Sequence, residues 1–186
     1  MRIISGALKG RSINFLKNVN TRPLKDSVKE NIFNILKHSN LIKVKIKSSN
    51  ILDLYSGIGS FGIECISRGA DKVTFIENNL DAGIILKENL TQLSIINRSE
   101  IHIKKVENAL TNDISEKFHV FFFDPPFKDS SFLQNIKLIQ KKKVFKKNHV
   151  IIIHREKKAI DDFKNLMTII EIKKYGRSKV IFGVFN

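Results

Sequence analysis

Three observations predict an α/β domain, with a mostly parallel sheet covered by helices on both faces. From Asn50 onward, short apolar runs alternate with helix-compatible stretches, the pattern of strand–helix–strand units. The stretch Asn50–Gly62, N-I-L-D-L-Y-S-G-I-G-S-F-G, passes from a buried strand through a glycine turn into a helix. Asp53, Glu77, Asn108 and Asp124 fall at the carboxyl ends of four successive predicted strands. Ligands of open α/β sheets bind beyond those ends.

The elements follow in chain order. Arg2–Gly6 and Arg11–Phe15 are extended runs joined by Gly6 to Gly10, and they predict a β-hairpin with basic residues at both ends. Thr21-Arg22-Pro23 is a stiff loop, because Pro fixes its own φ and restricts Arg22. Asp26 or Ser27 caps a helix whose apolar face is Val28, Ile32, Ile35 and Leu36. Lys43 to Ser49 is a basic linker. Strand Ile51–Leu54 leads to helix Ser60–Arg68, and strand Lys72–Ile76 leads to helix Asn79–Ile95. Strand Glu100–Lys105 is followed by Asn108-Ala109, and the apolar strand His119–Phe123 stops at Asp124. Phe132–Gln140 predicts a helix, Val150–Ile153 a buried strand and Asp161–Leu166 a helix. Thr168–Lys173 and Lys179–Phe185 form a closing pair around Tyr175-Gly176-Arg177-Ser178. His154-Arg155-Glu156 is expected at the surface, and Lys141-Lys142-Lys143 at a solvated helix end.

The length, 186 residues, fits one domain. Residues 1–40 form an N-terminal hairpin and helix, and residues 50–186 the core. No apolar run reaches the ~18 residues of a membrane span, and no signal-peptide core opens the chain, so the cytoplasm is expected. Cys65 is alone and reads as a small buried hydrophobe. No histidine or cysteine spacing predicts a metal site. The net charge of +15 suits a polyanion such as RNA or DNA. A Lys-, Asn-, Ile- and Phe-rich chain can also owe its charge to biased composition. The gathering of Arg2, Lys9, Arg11 and Arg22 around a hairpin and a rigid loop favours phosphate contact, with Arg177 and Lys179 as a second basic position.

Gly57, Gly59 and Gly62 spell G-x-G-x-x-G with Glu77 following, as in a dinucleotide site. A pyrophosphate would be repelled by Asp53, whereas a cationic ligand would be attracted. Asp124-Pro125-Pro126-Phe127 supplies the second distinction. The two prolines force a stiff turn that fixes the Pro125 carbonyl. Asp124 and that carbonyl can accept both hydrogens of a base's exocyclic amine and aim its lone pair at a methyl donor. Phe127 can stack on the base. Both features point to S-adenosylmethionine (SAM), which carries positive charge and no phosphate. Asp53 then faces its methionine end, Gly57 and Gly59 let the backbone approach, and Glu77 accepts from the ribose hydroxyls. Asn108 pairs with the adenine or caps the helix that follows, and Ile76 and Ala109 complete the lining.

The combination Asp53-x-x-x-Gly57-x-Gly59 with Asp124-Pro125-Pro126-Phe127 resembles the class I SAM-dependent amino-methyltransferases. Arg2-Ile3-Ile4-Ser5-Gly6, Gly10-Arg11, Thr21-Arg22-Pro23, Glu30–Leu36, Ser67-Arg68-Gly69-Ala70 and Lys174–Ser178 narrow this. Over essentially the whole chain the sequence resembles the bacterial 16S ribosomal RNA guanine-N2 methyltransferases of the RsmD type. The resemblance implies a Rossmann-like sheet of seven strands, SAM as donor without a metal, and a guanine of 16S rRNA in an assembling small subunit as target. A monomer without membrane attachment is expected. Leu24 and Lys25 depart from the small hydroxyl residues usual after Arg-Pro, and Asn108 stands where many SAM enzymes have Asp. A DNA adenine-N6 or cytosine-N4 methyltransferase would share the chemistry, but 186 residues leave little room for a target-recognition region. A NAD-dependent oxidoreductase would not need Asp-Pro-Pro-Phe, and a non-catalytic RNA-binding assembly factor would not need an intact Asp53, Glu77 and Asp124.

Overall fold

Apolar residues fill the two innermost strands of the sheet, as burial on both faces requires. These are β1 (Asn50–Leu54) and β4 (Phe118–Phe123), which pair in parallel from Ile51↔Val120 to Leu54↔Phe123. The computed structural model describes residues 1–15 and 24–186. Outward from β1 lie β2 (Lys72–Glu77) and then β3 (Ser99–Ile103), both parallel to it. Outward from β4 lies β5 (Phe145–Glu156), also parallel. Two antiparallel strands close that side, β7 (Ser178–Val184) against β5 and β6 (Thr168–Tyr175) at the edge. The sheet order is β3-β2-β1-β4-β5-β7-β6, so the seven-stranded, mostly parallel expectation holds. The order reverses between β1 and β4, and the carboxyl ends of these strands open the crevice at such a switch point.

Side chains alternate across the sheet. Ile51, Phe75, Val120, Phe122 and Ile152 face one core, under α1 (Asp26–His38), α2 (Ser60–Ser67) and α3 (Leu80–Gln92). Leu52, Leu54, Phe121, Phe123 and Ile153 face the other, under α4 (Val106–Asn112) and α5 (Phe132–Lys142). In the first core, the rings of Phe33, Phe61 and Phe122 stack in sequence, with centroids 5.2 and 3.9 Å apart. That column ties α1 through α2 to the centre of the sheet. Cys65 is fully buried, as expected.

The N-terminal run is tied down along α2. Met1 reaches Ser60 at the start of that helix, and Ala7 and Leu8 bond to Ser67 at its end. Eight helical residues span about 12 Å, so the tip near Lys9 lies at the far end from the strand ends. Gly6 (φ +85°) must be glycine, since a Cβ would lie 1.9 Å from the Ser67 carbonyl oxygen. Between these ends, the Ile4 and Ser5 amides donate to the buried Glu64 carboxylate at 2.8 and 3.0 Å. Arg68 Nε also donates to Glu64 (2.9 Å), and Lys29 Nζ lies 3.8 Å away. The predicted hairpin is a single antiparallel bridge, Arg2↔Ser12, because side chains and the α2 terminus satisfy much of its backbone.

Other boundaries differ for local reasons. α1 starts at Asp26 after Lys25, without a side-chain cap. α3 is capped by Asn79, whose side chain accepts from Ala82 N–H at 2.9 Å, and ends at Gln92. Residues 161–166 form turns instead of a helix, and Asp161 is held by Arg155. Lys142 is not solvated: its ammonium donates to the carbonyls of Leu110, Thr111 and Ile114, completing the carbonyl end of α4. Among the described residues, no helix is long and apolar enough to cross a membrane.

Candidate active site

A cavity of about 1050 Å³ opens over the carboxyl ends of β1, β2 and β4. That exceeds the ~300–1,000 Å³ typical of a small-molecule pocket, which leaves room for a cofactor together with part of a substrate. Its lining brings together Asp53, Gly57, Glu77, Asp124, Pro125, Pro126 and Phe127. Gly59 stands just behind it. Gly59 has φ +85°, and a Cβ there would lie 2.4 Å from Leu86 Cδ1, so it shapes the turn from the core side. Gly57 (φ +55°) has open space where its Cβ would be.

Two of these carboxylates, Asp53 and Glu77, are held by backbone amides. Asp53 Oδ2 accepts from Gly62 N–H at 2.9 Å, inside the first turn of α2. Asp53 Oδ1 is buried without a partner among the described residues, and so is Ser56 Oγ. Burial pushes the Asp53 pKa well above its ordinary value; the Gly62 hydrogen bond opposes this, and the charges of Asp124 and Glu77 add to it. Glu77 Oε2 accepts from Gly57 N–H and Oε1 from Asn79 N–H, both at 2.7 Å. Glu77 thus braces the glycine turn and the entry to α3, while each oxygen keeps a second lone pair.

Among the described residues, the lining carries five carboxylates (Asp53, Glu77, Glu107, Asp124 and Asp129) against one lysine, Lys105, in a chain of net charge +15. Such a local reversal of sign favours a cationic ligand and disfavours a pyrophosphate. The orphaned Asp53 Oδ1 supplies an acceptor for an ammonium group. These residues therefore fit SAM. No group of three or more His, Cys, Asp or Glu side chains that could hold a metal ion occurs among the described residues.

Asn108 and Ala109 do not line the cavity. α4 starts at Val106, directly after β3, so Asn108 lies exposed within the helix and Ala109 is buried beneath it. Lys105, Val106 and Glu107 occupy the rim instead. Arg2, Lys9 and Arg11 are exposed along the N-terminal run, away from the lining, and Arg177 is exposed on the β6–β7 turn. Arg22 lies outside the described residues.

Three lining residues were given no place in the site from the sequence, where a cleft border for His154 ranked below the surface. His154, at the end of β5, is 4% exposed, and its Nδ1 lies 2.8 Å from Asp124 Oδ1. Its ring meets Phe127 edge-on, with centroids 5.9 Å apart. The expected surface placement is corrected, because β5 continues past Ile153 and is covered by β7 and the Asp-Pro-Pro-Phe turn. A polar residue closing an all-apolar run was the available signal, the one that marked Asp124. Tyr55 adopts φ 60°, unusual for a non-glycine residue, and accepts from Asn135 at 2.8 Å; burial pushes its pKa up to about 12. Phe15, 53% exposed, stands at the rim. Asn89, fully buried in α3, places it by exchanging two hydrogen bonds with Asn14 (2.7 and 3.1 Å), like a strand partner, and by donating to Ile58.

A glycine turn and an Asp-Pro-Pro-Phe turn, set side by side at the switch point of this sheet, define a class I methyltransferase. The family model described as conserved hypothetical protein 95 matches residues 1–184, and the chain belongs to that family, the RsmD-type methyltransferases. The ribosomal RNA small subunit methyltransferase D of Buchnera aphidicola (subsp. Acyrthosiphon pisum) is 36% identical over 156 residues, covering 84% of this chain and 78% of its own. Its namesake in Haemophilus influenzae is 35% identical over 165 residues, covering 84% and 79%. A solved Haemophilus influenzae structure superposes with TM-score 0.78 at 30% identity, covering 100% of this chain and 98% of that one.

Proposed function

We propose that this protein transfers the methyl group of SAM to the exocyclic N2 amine of a guanine in 16S rRNA. Its site of action is an assembling small subunit in the cytoplasm, where it works as a monomer. One observation carries the reading: a single acidic cavity holds both a glycine turn suited to a cationic cofactor and the Asp-Pro-Pro-Phe turn suited to a planar amine. The names of the relatives supply the RNA substrate class.

Bound over the glycine turn, SAM supplies an electrophilic methyl whose bond to sulfur breaks as a bond to nitrogen forms. The chain's own residues bind and orient. Asp53 offers Oδ1 to the amino group of the methionine moiety, and Glu77 offers its remaining lone pairs to the ribose. Asp124 and the Pro125 carbonyl accept the two N–H bonds of the target amine. This turns the nitrogen lone pair toward the methyl and balances the charge that develops on nitrogen, whose surplus proton then leaves toward Asp124 and water. Phe127 gives the base a face to stack on, worth ~1–3 kcal/mol by comparison with other base–aromatic contacts. The exposed Arg2, Lys9, Arg11 and Arg177, together with Arg22, contact phosphates, making residues 1–40 an RNA-contacting extension of the core.

The test is methylation of small subunits purified from a strain lacking this protein, with the modified nucleotide mapped. Asp124→Ala is expected to abolish transfer and leave SAM affinity within a few-fold. Wild-type-like turnover by that variant would remove Asp124 from the chemistry. A product on adenine or on DNA would move the assignment to the neighbouring amino-methyltransferases.

A further inference from the structure

The end of β5 grips the Asp-Pro-Pro-Phe turn twice. Successive strand residues point to opposite faces. His154 turns to Asp124, with Nδ1 2.8 Å from Oδ1. Arg155 turns the other way and donates from Nη1 to the Pro126 carbonyl at 3.1 Å. Arg155 is itself fixed by a two-point pairing with Asp161, at 3.1 and 3.0 Å, and by the Phe132 ring, 4.6 Å from its guanidinium carbon. The backbone of the turn therefore has its own anchor, and His154 acts on the carboxylate alone.

The tautomer follows from the partners. A carboxylate accepts, so the hydrogen sits on Nδ1. His154 Nε2 is buried without a partner among the described residues, and a hydrogen there would be an unpaired buried donor. A carboxylate on a strand end has free rotation about its last two bonds. Here one oxygen is held by a ring that meets Phe127 edge-on, on a strand whose backbone is paired with β7.

We propose that His154 is a positioning residue for methyl transfer: its Nδ1–H holds Asp124 Oδ1, so that the second carboxylate oxygen meets the target amine. This rests on the reading of Asp124 as acceptor for that amine. The consequence falls on the rate of transfer and not on cofactor binding, because His154 touches the acceptor side of the cavity.

The experiment compares His154→Asn, His154→Gln and His154→Ala in the full-length protein, assayed on the same small subunits with radiolabelled SAM. The Asn amide nitrogen sits where Nδ1 sits, whereas the Gln amide nitrogen sits where Nε2 sits. His154→Asn is expected to keep kcat within about threefold of wild type, while Gln and Ala lose about 10–100-fold, the scale of a misplaced reacting group. KM for subunits and Kd for SAM stay within about twofold in all three, since neither ligand is held by His154. A Gln or Ala variant with wild-type kcat would overturn the proposal. So would equal kcat losses in all three variants that track their melting temperatures, which is the behaviour of a packing residue. Should His154→Ala not fold, the Asn–Gln pair decides. The parent reading fails separately, through a wild-type enzyme that methylates no RNA or an Asp124→Ala variant that still does.

Discussion

Replacing Gly57, Gly59 and Gly62 one at a time by alanine separates the parts of the glycine turn proposed to hold SAM. At Gly59 two costs combine. Its φ of +85° puts a Cβ in the left-handed region, which costs roughly 1–2 kcal/mol. The same Cβ lies 2.4 Å from Leu86 Cδ1 and 3.3 Å from Ile63 Cδ1 and Phe75 Cε1, an overpacking of about 1–3 kcal/mol. Gly62 has no unfavourable φ, but its Cβ would lie 2.3 Å from Phe75 Cε1 and 2.8 Å from Val73 Cγ1, so only the second cost applies. Gly57 has φ +55° and nothing within 4 Å, so only the first applies. Gly59→Ala is therefore expected to lose about 2–5 kcal/mol, and each of the others about half of that. At roughly 2–4 °C per kcal/mol for a chain of this size, Gly59→Ala melts some 5–15 °C below wild type. The function splits differently: Gly57→Ala folds but carries a methyl into the cavity that its backbone lines, and is the variant whose SAM affinity falls out of proportion to its stability. Thermal unfolding with and without SAM reads both quantities. Equal melting temperatures for Gly57→Ala and Gly59→Ala would refute the reasoning, as would unchanged SAM affinity in Gly57→Ala.

Three further outcomes are expected. Glu77→Ala removes charge-assisted acceptors for the Gly57 and Asn79 amides, each worth about 1.5–3 kcal/mol at most, so it should lower both melting temperature and SAM affinity; calorimetry showing neither would reduce Glu77 to a surface residue. Burial holds Asp53 above its unfolded pKa, so the native state binds the extra proton between the two values and this group's contribution to stability falls as pH rises through that window. A bound cation lowers the Asp53 pKa again, so SAM binding should release a proton there and tighten as pH rises, an effect that Asp53→Asn abolishes; calorimetry in buffers of different ionisation enthalpy giving identical heats would contradict this. Arg11→Gln with Arg177→Gln should flatten the slope of log affinity for RNA against log salt by about 0.7–0.9 per lost phosphate contact, with stability moving within ~0.5 kcal/mol, and an unchanged slope would mark the charge as compositional.

The inner strands were legible because each is a largely apolar run bounded by a polar residue, and the glycine and proline turns because those residues restrict backbone locally. What escaped depends on distant partners. His154 resembled a surface residue until β7 covered β5, and Lys142 resembled a solvated lysine until α4 ended beside it. Asn108 was expected at the C-terminal end of its strand, and α4, which starts at Val106, carries it into an exposed helical position instead. Asn89 carries no local mark, since its role is to complete the backbone of a segment 75 positions away.

The Glu64 carboxylate is the meeting point of three hydrogen-bond donors and the Lys29 ammonium, drawn from three parts of the chain. Two of the donors are the amides of Ile4 and Ser5, which no substitution other than proline removes. The opening residues are thus a keystone of the fold as well as the arm proposed to contact RNA. Trimming the chain to begin at Ala7 would strand a buried carboxylate beside Lys29 and Arg68 and loosen the helix that carries the cofactor turn. Lost activity after such a trim would report on the integrity of the catalytic body, and charge reversal at exposed Lys9 or Arg11, which leaves both amides in place, is the edit that isolates RNA contact.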